Sequence, residues 1–438
     1  MLLVSRSQVD AIRQQLDGRS GLRVAHIDVS FDPFDFARTG AALVDRAVAY
    51  STPGGDRIAG LGTAWRATAA GTTRFSILRD ERANVGHHDL TSFVGFSFSS
   101  DGPKTSIWDG YGAAEVFIPR ITIEGTESGS SLTVVVPEDE TVDATLELLT
   151  AMRHPKWIAV DDTGDHSIES HPHVTAWASA VATAIDAIHS GDLDKVVLAR
   201  SVIVNSTEPV AILRVFRALV ERYPQCYNFA WKSGDSVFLG ASPELLADVR
   251  GSRLTSNPLA GSARRGEGDA DDESIGHALL TSDKDREEHR LVVEDLTSRL
   301  SGLTTELHVP SSPSLKKMAT VQHLSTEIAG TLVEDVGILD VISEVHPTPA
   351  VGGVEREAAL QFISDVEQID RGWYTGGVGW INGRGEGAIC IGLRCGLIHE
   401  GRTHLFAGAG IVADSQPESE VAETRLKLRP LFDLLATS

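Results

Sequence analysis

A lysine and a glutamate in this chain stand where charged side chains are costly. Lys195 opens an apolar run that continues to Arg200, and Glu244 follows the apolar run 237–239 and precedes Leu245. Burial disfavours the charged form of both groups, so the lysine can become a base and the glutamate a proton donor. Each also fits a common structural role, a solvated lysine at a strand edge or a capping glutamate in a turn. The two residues predict acid–base chemistry if the fold brings them together.

Three further glutamates, Glu288, Glu420 and Glu423, lie on two predicted helices. Glu420 and Glu423 are three residues apart near the beginning of the closing helix, where the helix dipole favours carboxylates. Glu288 lies three residues before Leu291 on a strongly charged helix, so it can border the core or belong to a solvated face. Together the three carboxylates form an all-oxygen set suited to Mg²⁺, which keeps waters and takes further ligands from an anionic substrate.

The segment 256–265 could bind an anion. Gly261 allows a ligand to approach the backbone, and Ser262, Arg264 and Arg265 are hydrogen-bond donors. A surface turn with solvated arginines fits the same residues equally well.

Two further features could serve a ligand. Arg394 is predicted to lie late in an apolar strand, where a guanidinium needs a carboxylate partner from the protein or from a ligand. The run 407–410 predicts a glycine-rich turn between a strand and the closing helix, but it matches no nucleotide-binding fingerprint.

Strands and helices alternate around these residues. The first 150 residues mix strand-like alternation, for example at 71–78 and 132–136, with glycine-rich turns. The polar stretch 161–173 predicts a loop and the best candidate boundary. Beyond it, we expect a mixed α/β or α+β fold built on large sheets. Helices are predicted over 174–190, 209–223, 284–301 and from 418, and strands over 227–231, 236–239, 376–380, 387–394 and 403–406.

The composition indicates a large globular protein. With 438 residues and 42% hydrophobic content, the chain can bury a large core and could hold two domains. It has no apolar run of membrane-spanning length and no secretory pattern at its N-terminus. Cys226, Cys390 and Cys395 lack metal-type spacing, so we expect reduced core thiols in a cytoplasmic protein.

The net charge of −22 argues against two classes of partner. Such a field repels nucleic acid and anionic membranes. It also repels a small anionic substrate, so cations lining the site, or a divalent metal, would have to offset it locally.

The chain resembles the chorismate-utilising enzymes, and among their branches it is most similar to the isochorismate synthases. The resemblance covers roughly residues 170–435. It is carried by six ordered segments, 195–200, 240–246, 258–265, 346–350, 371–377 and 408–413.

This resemblance implies a fold and a reaction. The expected fold is a two-sheet core flanked by helices, with the active site in a cleft between the sheets. Residues 1–160 would form a divergent part of that core and residues 170–435 the catalytic region of one integrated domain. By analogy, Lys195 activates water to attack C2 of chorismate, and Glu244 protonates the departing C4 hydroxyl.

The resemblance also implies ligands for the substrate. Glu288 and Glu423 match magnesium-binding glutamates, with Glu420 nearby, and the metal would hold the ring carboxylate. Arg394 matches an arginine for the enolpyruvyl carboxylate. Further substrate-binding candidates are Gly261, Ser262, Ala350, Tyr374, Gly408 and Lys427.

Alternatives within the superfamily differ at a few positions. Salicylate synthases share Lys195 and Glu244 and also eliminate pyruvate; Ala350 and Val351 favour the branch that stops at isochorismate. Anthranilate synthases lack this lysine, and aminodeoxychorismate synthases have a lysine where this chain has Ala260. A non-catalytic chorismate-binding relative would not need the two acid–base groups.

The resemblance extends to partners and pathway. It implies no amidotransferase subunit and a monomer. It leaves open whether the product serves menaquinone, siderophore or salicylate synthesis.

Overall fold

The computed structural model describes residues 3–126, 129–152, 166–206 and 210–436. Within these ranges, no helix combines the length and the hydropathy needed to cross a bilayer. The α-helices are α1 (Arg6–Leu16), α2 (Pro33–Gly40), α3 (Arg74–Asn84), α4 (Val142–Ala151), α5 (Val174–His189), α6 (Ile212–Arg222), α7 (Asp269–Thr281), α8 (Asp283–Ser301), α9 (Ile338–Val345), α10 (Arg356–Val366) and α11 (Pro417–Ala436).

The strands all pair antiparallel. In chain order they are β1 (Arg23–Val29), β2 (Arg46–Ser51), β3 (Arg57–Leu61), β4 (Trp65–Ala69), β5 (Ser92–Phe96), β6 (Ala114–Ile118), β7 (Ile121–Thr126), β8 (Gly129–Val136), β9 (His166–His171), β10 (Lys195–Ser206), β11 (Tyr227–Ser233), β12 (Ser236–Ser242), β13 (Leu245–Arg250), β14 (Arg253–Asn257), β15 (Leu259–Arg264), β16 (Thr304–His308), β17 (Ser314–Lys317), β18 (Val321–Ser325), β19 (Ile328–Leu332), β20 (Gly353–Val354), β21 (Gly377–Ile381), β22 (Gly387–Ile391), β23 (Cys395–His399) and β24 (Arg402–Ile411).

These strands form two large sheets and one small sheet. The twelve-stranded sheet has the order β1-β8-β7-β3-β2-β11-β12-β23-β24-β10-β20, with β9 also beside β10. The nine-stranded sheet runs β16-β19-β14-β13-β22-β21-β5-β6-β4, and the small sheet runs β15-β18-β17. Both large sheets therefore contain strands from the early and the late parts of the chain.

An aromatic layer joins the two large sheets. Trp231 on β11 packs edge-on against Trp373, with ring centroids 4.9 Å apart, and against Phe117 on β6, at 5.2 Å. Phe238 on β12 and Val378 on β21 belong to the same buried cluster. Because each strand alternates its side chains between two faces, the opposite faces remain for helices to cover.

Helices cover those outer faces in groups. Side chains of α1, α2 and α4 bury one end of the twelve-stranded sheet, and those of α6 and α11 bury another part of it. Helices α3, α8 and α9 pack on the nine-stranded sheet. The predicted mixed fold, with two large sheets flanked by helices, is confirmed, and the small sheet is an addition to it.

Helix α8 forms where its periodicity predicted. Ser282 caps it by accepting a hydrogen bond from the N–H of Asp285 at 3.3 Å. Its buried positions are His289, Val292, Leu296 and Leu300, and this spacing of three and four residues lines one helix face. The face opposite is charged, so the helix can present Glu288 at the border between them.

Two expectations for secondary structure are wrong. Residues 71–78 do not form a strand: Gly71 turns the chain with φ +82°, and α3 begins at Arg74. Phe75 and Leu78 are buried three residues apart, as on a helix face. The loop expected over 161–173 contains strand β9, while residues 161–165 lie outside the described ranges.

Two local expectations near the site are also wrong. Arg394 does not lie in a strand, because β22 ends at Ile391 and Arg394 has a left-handed φ of 49°. Residues 407–410 do not form a turn but continue β24 to Ile411. Their glycines allow close approach of neighbouring groups within a sheet, which a sequence pattern does not distinguish from a turn.

Candidate active site

A cavity lies where the small sheet, α8 and α11 meet the two large sheets. It has about 660 Å³ of empty space, part of it open to solvent. Its lining includes Glu244, Glu288 and Glu423, whereas Lys195 and Glu420 are buried just outside the lining. All the predicted substrate-binding residues line it, namely Gly261, Ser262, Ala350, Tyr374, Arg394, Gly408 and Lys427.

Lys195, the first residue of β10, is fully buried. Its Nζ lies 3.0 Å from Oε1 of Glu288, so the amine is directly beside a carboxylate of the cavity wall. Gly410 on β24 makes room for this contact. A Cβ at that position would lie 2.4 Å from Oε1 of Glu288 and 3.0 Å from Cε of Lys195. The contact therefore requires a residue without a side chain at position 410.

Glu244 lies between β12 and β13 and is 3% exposed. The N–H of Leu259 donates to its Oε1 at 3.5 Å. Burial raises the pKa of Glu244 to about 7, although that N–H and the charges of Lys316, Lys195 and Lys427 act in the opposite direction. A carboxyl group with this pKa retains its proton up to neutral pH, as a general acid must.

The three predicted metal-binding glutamates each pair with a lysine. One contact joins α8 to β10, one joins α11 to α8, and one lies within α11. The pairs are Glu288 with Lys195 at 3.0 Å, Glu420 with Lys284 at 3.3 Å and Glu423 with Lys427 at 2.6 Å.

The pKa values of Glu288 and Glu420 shift in opposite directions. Burial would raise the pKa of Glu288, but Lys195, Lys427 and Lys284 together lower it. Burial, followed by the charge of Glu423, raises the pKa of Glu420. Glu288 is therefore the more readily ionised of the two carboxyl groups.

The donor set fits a hard divalent cation. Within the described ranges, no three His, Cys, Asp or Glu side chains are arranged so as to hold a metal ion by themselves. Magnesium does not require such a cluster, since it usually keeps several waters and takes one or two carboxylates together with substrate oxygens. Glu288 and Glu423 both face the cavity and can supply those carboxylates.

Arg394 is oriented by His323, which the sequence analysis did not single out. Arg394 Nη2 donates to His323 Nε2 at 3.1 Å. A guanidinium only donates, so the ring proton is on Nδ1, which lies 3.0 Å from Ser262 Oγ and 3.3 Å from the carbonyl oxygen of Gly261. Burial lowers the pKa of His323 well below its usual value, so the imidazole is neutral.

Arg394 retains a donor for a ligand. Its Nη1 is buried and has no hydrogen-bond partner among the described residues. A buried donor without a partner is costly, and an anion in the cavity would satisfy it. The other arginines suggested as anion donors are used elsewhere, since Arg264 pairs with Asp271 at 3.1 Å and Arg265 with Asp272 at 2.6 Å.

Tyr374 and Lys427 are further donors on the same wall. The Tyr374 ring stacks on Phe406, with centroids 5.4 Å apart, and burial raises its pKa, so the hydroxyl keeps its proton. Lys427 Nζ donates to the carbonyl oxygen of Gly408 at 3.0 Å. A Cβ at Gly408 would lie 3.1 Å from the Tyr374 hydroxyl. Together with Arg394, these groups form a donor-rich wall suited to a carboxylate.

Thr375 also lines the cavity and was not among the residues predicted from the sequence, although it lies in the matched segment 371–377. It has a left-handed φ of 61°, and its side chain accepts from Arg371 at 3.4 Å. His323 lies in the short, buried strand β18, which also contains Gln322 and Ser325, so its sequence context does not mark it out, and its contact with Arg394 depends on the fold.

Comparison with known proteins shows the family of the chain. The family model described as chorismate binding enzyme matches residues 11–436. The isochorismate synthase MenF of Bacillus subtilis is 35% identical over 368 residues, covering 83% of this chain and 78% of that protein. The salicylate biosynthesis isochorismate synthase of Pseudomonas aeruginosa is 36% identical over 357 residues, covering 78% of this chain and 73% of that protein.

A solved structure is similar over the whole chain. The menaquinone-specific isochorismate synthase MenF from Escherichia coli superposes with a TM-score of 0.86 at 25% identity. The superposition covers 98% of this chain and 99% of that chain, so the similarity includes the N-terminal part.

Proposed function

Because this chain belongs to the chorismate-binding enzyme family, we propose that it is an isochorismate synthase, an isomerase that converts chorismate to isochorismate. The observation that carries the proposal is that Glu244, a buried carboxyl group whose pKa is about 7, lines the cavity, while the fully buried Lys195 lies directly behind its wall against Glu288. The names of the similar proteins support this branch of the family.

In the proposed reaction, Lys195 accepts a proton from water, and the water oxygen attacks C2 of the ring. The ring double bond shifts as the bond between C4 and its hydroxyl breaks. Glu244 gives its proton to that hydroxyl, which leaves as water. The proton gained by the lysine then returns to Glu244, so that atoms and charges balance over a turnover, and the reverse reaction uses the same two groups in exchanged roles.

The donors of the cavity would bind the two carboxylates of the substrate. Arg394, Tyr374 and Lys427 would bind the enolpyruvyl carboxylate, aided by the backbone at Gly261 and Gly408. Ser262 and Ala350 would complete the substrate pocket. The stacked ring of Tyr374 and the neutral His323 support this assignment, since both fix donors in place before the substrate arrives.

Glu288 and Glu423 would hold Mg²⁺, with Glu420 close by, and the ion would supply the positive charge that fixes the ring carboxylate. Glu288 also contacts Lys195. A cation held there would therefore share the carboxylate that Lys195 now contacts.

Product analysis tests the proposal. The purified protein is incubated with chorismate and Mg²⁺, without ammonia, and the mixture is separated by chromatography. We expect isochorismate and remaining chorismate, with the same ratio reached from either side.

Other products would assign another function. Salicylate and pyruvate in equal amounts would identify a salicylate synthase. Bound chorismate without turnover would identify a non-catalytic relative and would contradict the proposal.

A further inference from the structure

The strand that begins with Lys195 has a gap along one edge. On one side, β10 pairs with β24 from Val196 to Asn205. On the other side, β20 pairs with it only at Lys195 and Val196, and β9 pairs with it only from Ser201 onward. In the described part of the chain, no strand pairs with residues 197–200 on that side, and a small cavity lined by Ala199 lies there.

Backbone groups inside a sheet are costly when they lack partners. The backbone groups that face the gap are the N–H and the carbonyl of Val197 and of Ala199. The N–H of Val197 has a backbone partner, since it donates to the carbonyl oxygen of Gly352 at 2.8 Å. The other three groups bind side chains from outside the sheet.

Those three side chains are Arg371, Glu367 and Trp177. Arg371 Nη2 donates to the carbonyl oxygen of Val197 at 2.7 Å. Glu367 Oε2 accepts from the N–H of Ala199 at 2.8 Å, and Trp177 Nε1 donates to the carbonyl oxygen of Ala199 at 3.1 Å. The side chains thus take the place of the missing neighbouring strand.

Glu367 and Arg371 also form a buried, bidentate ion pair with each other. Arg371 Nε lies 2.6 Å from Glu367 Oε1, and Arg371 Nη2 lies 2.7 Å from Glu367 Oε2. Their side chains are 4% and 3% exposed. A pair of this geometry is rigid, because two parallel hydrogen bonds fix both planes.

The same arginine reaches two other walls of the active-site cavity. Arg371 Nη1 donates to the carbonyl oxygen of Val351 at 2.8 Å and to Thr375 Oγ1 at 3.4 Å. Val197, Val351 and Thr375 all line the cavity. One guanidinium therefore links three segments of the site without lining the cavity itself.

We propose that Glu367, Arg371 and Trp177 are positioning residues that replace a strand along the gap in β10 and thereby hold Lys195 in register with the cavity walls. The role assigned to Lys195 rests on the proposed function, whereas the rigidity of the strand does not. The three residues act through the backbone at residues 197–199, two to four positions beyond the lysine.

The test combines kinetics with hydrogen exchange on the full chain. Glu367→Gln keeps the volume of the side chain but removes the charge, and Trp177→Phe removes only the indole N–H and part of the ring. We expect Glu367→Gln to lower kcat about tenfold with KM within about twofold, because the substrate-binding donors stay in place. In the ligand-free protein, amide exchange in the peptide over 195–200 should become at least about tenfold faster.

Glu115→Gln is the matched control. Glu115 on β6 of the nine-stranded sheet is fully buried and is paired with Arg66 on β4 and with Arg46 on β2 of the twelve-stranded sheet, but it does not line the cavity. This variant should lose thermal stability to a similar degree while keeping kcat within about twofold and exchange at 195–200 unchanged.

Unchanged exchange at 195–200 in Glu367→Gln, or an equal loss of kcat in Glu115→Gln, would overturn the proposal. If Glu367→Gln does not fold, Trp177→Phe decides by the same two measurements, with smaller expected changes. If the unmodified protein forms no isochorismate, the proposed function fails, and the exchange measurements still decide whether these residues hold the strand.

Discussion

Burial has different consequences for the two acid–base residues. Glu244 faces the cavity with a raised pKa, whereas Lys195 is held beside the carboxylate of Glu288 just behind the wall. The proposed reaction gives both residues direct contact with reacting protons. Each should therefore be needed for the rate and not for the fold.

We expect Lys195→Ala and Glu244→Gln each to lower kcat by at least about 100-fold, the usual scale for general acids and bases. Circular dichroism and thermal unfolding should show a folded protein in both cases. Near-full activity in either folded variant would show that the residue has another role.

The pKa of Glu244 predicts a dependence on pH. Because the group must be protonated to act as an acid, and burial raises its pKa to about 7, kcat/KM should fall as the pH rises through about 7. The fall should approach tenfold per pH unit. Initial rates at low chorismate concentration between pH 6 and 9 measure this, and a kcat/KM that is constant up to pH 9 would contradict it.

A side chain at position 410 should disturb the contact between Lys195 and Glu288. In Gly410→Ala, the new Cβ would stand 2.4 Å from Glu288 Oε1 and 3.0 Å from Lys195 Cε, so the ends of these two flexible side chains must shift. We expect a loss of kcat of at least about tenfold. Gly302→Ala is the matched control, since a Cβ there meets nothing within 4 Å. Equal activity of both variants would mean that the close approach at Gly410 is unimportant.

At the scale of elements, α8 and α11 carry the carboxylates to the cavity. Glu423→Gln should weaken Mg²⁺ binding, measured by calorimetry on the full chain, at least about tenfold, because the site loses one of its two charged ligands. Glu418→Gln removes a charge from the first turn of the same helix at an exposed position. Binding in that control should change less than about twofold, and an equal loss in both variants would argue against a direct ligand at Glu423.

Sequence periodicity predicts some of these elements correctly and others wrongly. The periodicity of Val292, Leu296 and Leu300 predicts α8 because one helix face is buried. Residues 71–78 mislead because Phe75 and Ile77 fit an alternating strand, whereas the helix buries Phe75 and Leu78 and leaves Ile77 exposed. Short apolar segments allow both periods, and the contacts that decide between them are made elsewhere in the chain.

At the scale of the whole molecule, an anionic substrate must overcome the negative charge of the chain. The chain has a net charge of −22, while Arg394 and Lys427 line the cavity. These groups, with a divalent cation, would offset the global repulsion where the substrate binds. This need follows from the composition alone, whereas the side chains that could meet it lie far apart in the sequence.

The contacts that could not be predicted are those between distant segments. Lys195 meets Glu288, and Arg394 meets His323, only because three sheets and two helices converge at the cavity. Single residues such as Glu244 were recognisable from their motifs. Their partners are determined by three-dimensional packing, to which local periodicity is insensitive.

The central claim is that solvent water attacks C2 while the C4 hydroxyl leaves. The most direct measurement is the conversion of chorismate in water labelled with ¹⁸O, with mass spectrometry of the isochorismate formed. We expect one ¹⁸O atom in the product, carried by the hydroxyl at C2, and formation of this product at least about 100-fold more slowly by Lys195→Ala. Unlabelled isochorismate, which would mean that the hydroxyl moves within the substrate, would contradict the account.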